Sequence, residues 1–68
     1  METNNRRVWE IQFSHKDENG RWRYNRNILV IAESLQKALD RFMEENYDDL
    51  QIWSITNRSG GGKEILEA

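Results

Sequence analysis

The sequence predicts an α+β domain of order ββαβ(β): a three-stranded antiparallel sheet, open to a fourth strand, with one helix packed on one face. Three observations predict it. Trp9, Ile11 and Phe13 alternate with Glu10, Gln12 and Ser14; Asn19-Gly20 separates two β-rich runs; and Leu35, Ala38, Leu39, Phe42 and Met43 recur at helical spacing. The 68 residues, with 10 Lys+Arg, 12 Asp+Glu, no Cys and no Pro, suffice for a single domain over 1–68 and not for two.

Residues 1–5 are polar without periodicity and read as a frayed arm, ahead of an ordered core over 6–58. The first strand is RRVWEIQFSH. Asp17-Glu18-Asn19-Gly20 then predicts a tight hairpin, because Asn and Gly both accept positive φ. The second strand, RWRYNRNILVIA, alternates over Trp22 and Tyr24 but is apolar at every position from Ile28 to Ile31. Either both faces of that end are covered, or a bulge near Asn25–Asn27 shifts the phase. Ser34 is placed to cap the helix that follows, which should stop around Asn46 or Tyr47 with Asp48-Asp49 in the connection. A third strand, LQIWSITNR, has apolar residues of both parities. Residues 59–68 read as a Gly-rich turn into a short strand, Lys63 to Leu66, or as a flexible tail.

One helix covers one face of a sheet. The other face would carry apolar residues from the set Trp22, Tyr24, Ile28, Val30 and either Ile52 or Trp53, and a patch of that kind marks an interface. Trp22, Tyr24 and Trp53 are the candidate apolar contacts.

Composition narrows the function classes. A chain this short buries only about 60% of the surface its unfolded form exposes, which leaves little room for an enclosed active site. No catalytic constellation forms around His15, the one histidine, which reads as exposed and structural at the hairpin approach. No cofactor or metal is expected: Glu44, Glu45, Asp48 and Asp49 lack the alternating ligands and turning glycine of a calcium loop. Ser59-Gly60-Gly61-Gly62-Lys63 lacks the spacing, the Ser or Thr after Lys, and the following helix of a phosphate loop. The longest apolar run, Ile28 to Ala32, is too short to span a membrane, and the start METNNRR does not read as a signal peptide. The absence of Cys fits a reducing cytoplasm.

The net charge of −2 argues against generic coating of DNA, but its distribution is two-signed. Residues 1–32 hold six cations against four acids, and residues 33–50 hold two against six. Asp40, Glu44, Glu45, Asp48 and Asp49 form a candidate acidic ridge, with Glu44 and Glu45 set against the helix macrodipole. Such a ridge would meet a basic protein surface. The competing pattern is Arg21-Trp22-Arg23-Tyr24 with Arg26 and Arg58, in which aromatics stack on bases while guanidinium groups meet phosphates.

The stretch Arg7 to Arg58 resembles the small early proteins of lytic coliphages that inhibit the host RNA polymerase. The resemblance rests on Val8-Trp9-Glu10-Ile11, then Ile31-Ala32-Glu33-Ser34-Leu35, Ala38-Leu39, an acidic helix ending near Tyr47, and an aliphatic third strand. It implies a compact phage-encoded domain that binds a host protein and blocks it. Where that family places arginines in the third strand, this chain has Gln51, Ser54, Thr56 and Asn57, with Arg58 at the end. The expectation is therefore a non-catalytic protein-binding module, acting in the host cytoplasm on a basic, nucleic-acid-handling surface such as that of RNA polymerase or a DNA-binding protein. Homodimerisation through the open face is compatible with that role. A small nucleic-acid or nucleotide binder is the alternative.

Overall fold

The computed structural model describes residues 6–57 and 64–68. Its elements are β1 (Arg7–Lys16), β2 (Trp22–Ala32), α1 (Leu35–Met43), β3 (Asp48–Thr56) and β4 (Glu64–Glu67). They form an α+β domain with a four-stranded sheet of order β3-β1-β2-β4. β1 is antiparallel to both β2 and β3, whereas β4 is parallel to β2. The sheet is therefore mixed, which corrects the antiparallel expectation. β2 and β3 both run against β1 and so point the same way, with α1 crossing between them. β4 takes that direction too, at the far edge beside β2. Arg58, the Gly-rich stretch, Lys63 and the arm at 1–5 lie outside the described residues.

The hairpin turn differs from expectation in one respect. Gly20 N donates to Asp17 O at 2.9 Å, and Gly20 has φ +75° while Asn19 stays out of the left-handed region. This is a type I turn closed by a left-handed glycine, and it needs positive φ at one residue instead of two. The Asp17 carboxylate holds it by accepting from the amides of Asn19 and Arg21 at 2.9 and 3.0 Å.

Two bulges shift the phase of the apolar residues in β2 and β3, while Leu29 and Ile31, paired with Glu10 and Val8, remain on the face opposite Ile28 and Val30. Phe13 pairs with Arg26 while His15 pairs with Arg23, so β2 carries an extra residue around Asn25, whose φ is +53°. Ile28 and Val30 consequently face α1 and are fully buried, not exposed on the face of Trp22 and Tyr24. On the other side of β1, Gln12 pairs with Ser54 but Phe13 with Ile52, leaving Trp53 as the extra residue of β3. Leu50 and Ile55 thus both pack against the core.

Ser34 caps α1 as expected, its hydroxyl accepting from Lys37 N at 3.3 Å. The helix ends at Met43, the last residue of its apolar stripe and short of the stop expected around Asn46 or Tyr47. The amides of Glu44, Glu45 and Asn46 bond back three residues, to Arg41, Phe42 and Met43, and Asn46 takes φ +54°. The reason is Tyr47, whose ring must turn inward to meet His15, Phe13 and Phe42 at 4.4, 5.0 and 5.4 Å. Asp48 and Asp49 therefore belong to β3, not to the connection. The core beneath α1 is Ile11, Phe13, Ile28, Val30, Ala32, Ala38 and Phe42, with Phe13 and Phe42 edge-to-face at 4.8 Å.

Candidate docking surface

The hairpin end of the sheet gathers most of the residues singled out from sequence. His15 lies on the helix side against Phe13 and Tyr47. Its neighbour Lys16 therefore points to the uncovered side, together with its cross-strand partners Trp22 and Asp48. Trp22 and Tyr24 stack there at 5.8 Å with 17° between their planes. The Lys16 ammonium sits 5.4 Å from the Trp22 ring centroid and 3.3 Å from the Asp49 carboxylate. Lys16, Trp22, Asp49, Leu50 and Gln51 line one shallow depression of 420 Å³. Asp49 has φ +50°, where the register between β1 and β3 shifts.

Trp53 stands apart. It is 59% exposed and its indole donates to the Ser14 hydroxyl at 2.8 Å. Among the described residues no ring contact joins it to Trp22 or Tyr24.

The acidic set divides between two places. Asp48 and Asp49 adjoin the aromatic stack, whereas Asp40, Glu44 and Glu45 lie on or just beyond α1, in the opposite layer. There Arg41 lies 3.3 Å from Glu45 and 4.0 Å from Glu44, and Asp40 accepts from Gln36 at 2.9 Å. A cation in the last turn gives the two glutamates a local partner that offsets their position at the helix end.

The arginines divide as well. Arg21 and Arg23 are exposed. Arg26 turns under α1, where it donates to His15 Nε2 at 2.8 Å, pairs with Glu64 of β4, and lies over the rings of Phe13 and Tyr47 at 5.7 and 5.9 Å. His15 is consequently 6% exposed, not the exposed residue expected, because a ring between Phe13 and Tyr47 is sealed by Arg26. Its Nδ1 donates to the Lys16 carbonyl at 2.9 Å, which leaves Nε2 as the acceptor. The sequence signal for this cluster was the bulge at Asn25, which turns Arg26 away from the parity of Trp22 and Tyr24. Lys16 carries no such signal, since nothing in its neighbourhood along the chain shows that Asp49 will lie across the sheet from it.

Two local pKa effects accompany this geometry. Hydrogen bonding from the Arg21 amide holds the Asp17 carboxyl below its ordinary value, keeping the turn anchor ionised. Burial pushes the Tyr47 phenol above its ordinary value, with Arg26 opposing. No described helix is long and apolar enough to cross a membrane. No family model, curated protein or solved structure matches this chain.

Proposed function

We propose that this protein is a non-catalytic binding module that docks on a basic, nucleic-acid-handling surface of another protein and occludes it. The observation that carries the reading is the Trp22–Tyr24 stack, displayed on the sheet side away from α1 and adjoining Asp49 across Lys16. Burial of two aromatic rings supplies affinity, and Asp48 and Asp49 steer the approach of a cationic partner. Asp40, Glu44 and Glu45 extend the negative field to the far layer. The resemblance to phage inhibitors of RNA polymerase makes a bacterial transcription or DNA-binding protein the partner of choice.

The test is retention by the immobilised protein from bacterial lysate, with and without nuclease treatment. One partner held in both lysates is the expected result. Trp22→Ala with Tyr24→Ala should weaken its retention by at least about tenfold, each aromatic anchor contributing on the order of 1–2 kcal/mol. Asp48→Lys with Asp49→Lys should mainly slow association. Retention that disappears with nuclease, or that falls steeply between low and moderate salt, would instead assign the hairpin to phosphate contacts by Arg21 and Arg23, which lie on its other side.

A further inference from the structure

The two bulges sit at the same height on either side of β1, and between them they open a second depression on the uncovered face. It measures 280 Å³ and is lined by Gln12, Asn25, Arg26, Asn27 and Trp53. That is just below the roughly 300–1,000 Å³ of ligand pockets, room for one ring system and little more. The position is built with care. Trp53 presents its ring to solvent, yet its indole N–H is tied to Ser14, which is fully buried. The orientation of the ring is therefore fixed although its face is free. Asn25 is held in the left-handed region at φ +53°, a conformation that costs an ordinary side chain energy and that clusters at binding sites.

The polar lining has a defined polarity. Gln12 and Asn27 are direct cross-strand partners on this face, so their amide heads are close neighbours. Asn27 Nδ2 donates to the Glu10 carboxylate at 3.2 Å. A carboxylate only accepts, so the Asn27 Oδ1 is the atom left for a ligand. Gln12 Oε1 accepts from the Ser54 hydroxyl at 2.8 Å, leaving its Nε2 donors free. Arg26 borders the depression but offers it no charge, because its guanidinium lies on the helix side, engaged by His15 and Glu64. The depression thus offers an aromatic face, one donor and one acceptor side by side, and no spare cation for a phosphate.

We propose that this depression binds a nucleobase with an amidine edge, adenine or cytosine, stacked on Trp53. The exocyclic amino group donates to Asn27 Oδ1, and the adjacent ring nitrogen accepts from Gln12 Nε2. Asn and Gln read adenine through this same pairing of donor and acceptor in other settings, and unstacked bases rest on aromatic side chains. The proposal does not depend on the docking reading, which rests on Trp22 and Tyr24. The base can come from a free nucleoside or from a single strand.

The test is titration of the whole protein with adenosine, cytidine, inosine and uridine, followed by the indole N–H resonance of Trp53 in the protein's NMR spectrum. Adenosine and cytidine should shift that resonance, adenosine at the lower concentration because two rings stack. Inosine and uridine, which present a carbonyl oxygen where the amino group should be, should bind at least about tenfold more weakly. Gln12→Ala, at an exposed position, should weaken adenosine about tenfold with the rest of the spectrum retained. Trp53→Ala, followed through the side-chain amide resonances of Gln12 and Asn27, should abolish binding, and Tyr24→Ala should leave it unchanged. A second arm compares adenosine with a six-residue adenylate strand between 50 and 200 mM salt. Equal, salt-insensitive binding identifies the free nucleoside as the source, and tighter, strongly salt-dependent binding of the strand identifies nucleic acid. The proposal is overturned if none of these probes moves Trp53, if inosine matches adenosine, or if the shifts map to Trp22 and Tyr24.

Discussion

Around His15, three strands and the loop after α1 meet through a short chain of hydrogen bonds and ring contacts. The Lys16 carbonyl accepts a hydrogen bond from Nδ1–H, Nε2 accepts from Arg26, and Arg26 reaches Glu64 of β4. Tyr47 closes the cluster from the loop after α1, 4.4 Å from the His15 ring. Burial raises the pKa of its phenol, and the carboxylates of Glu64 and Glu45 add to the rise while Arg26 opposes it. The neutral phenol is therefore favoured more in the folded chain than in the unfolded one. That preference is fully present below the unfolded value of about 10, and it is lost as pH rises through the higher folded value. The stability difference between the wild type and Tyr47→Phe should accordingly be constant from neutral pH to about pH 10 and then narrow or reverse in alkali, where only the wild type must bury a charge. Urea unfolding of both proteins across pH 7–12 reads this directly. A constant difference through pH 12 would mean that the phenol ionises as freely in the folded chain as in the unfolded one.

Elements here are shaped by single residues with positive φ. Gly20 closes the hairpin, Asn25 makes the bulge of β2, and Asn46 ends α1. A Cβ at Gly20 would meet nothing within 4 Å, so any cost of Gly20→Ala is backbone strain alone. A left-handed alanine costs roughly 1–2 kcal/mol, offset in part by the lower entropy of the unfolded alanine variant. Gly20→Ala and Asn25→Ala should each lose about 1 kcal/mol although both positions are exposed, whereas Glu18→Ala should stay within about 0.5 kcal/mol. Thermal unfolding of the three variants decides it; equal stabilities would mean that the turn and bulge relax at no cost. The same residues show where the sequence was legible. The strand at Trp9–Phe13, the hairpin, the Ser34 cap and the start of the helix follow from local patterns that the fold leaves intact. The bulge near Asn25 could be suspected because a single parity cannot serve both Trp22 and Ile28. The early end of α1 could not be read, since it answers to Tyr47 meeting Phe13 and His15 from across the sheet. The parallel pairing of β4 likewise depends on which edge is free once three strands have assembled.

At the scale of the molecule, the fold is thin and unevenly covered. α1 lies over β2 and the β4 edge, so β3 leaves Ile52 39% exposed, and the flank of α1 leaves Leu35 and Met43 43% and 54% exposed. The fully buried core draws on the hairpin and on two residues of the helix, Ala38 and Phe42. Docking of the helix thus depends on one large side chain. The candidate surface was half legible for the same reason: exposure of Tyr24 and Trp53 follows from having a single helix, but the company each keeps follows from register shifts that no local pattern encodes. A chain of this size has a net stability of roughly 3–10 kcal/mol, and truncating a buried phenylalanine costs about 3–5 kcal/mol. Phe42→Ala should therefore consume much of the available stability and broaden or abolish the cooperative transition at 37 °C. Met43→Ala, one residue away on the exposed flank, should cost less than about 1 kcal/mol. Because the Trp22–Tyr24 face depends on the hairpin staying paired, partner retention should fail with Phe42→Ala and persist with Met43→Ala. A stable, cooperative Phe42→Ala protein would show that β1, β2 and β3 hold together without α1, and that the helix serves the surface instead of the core.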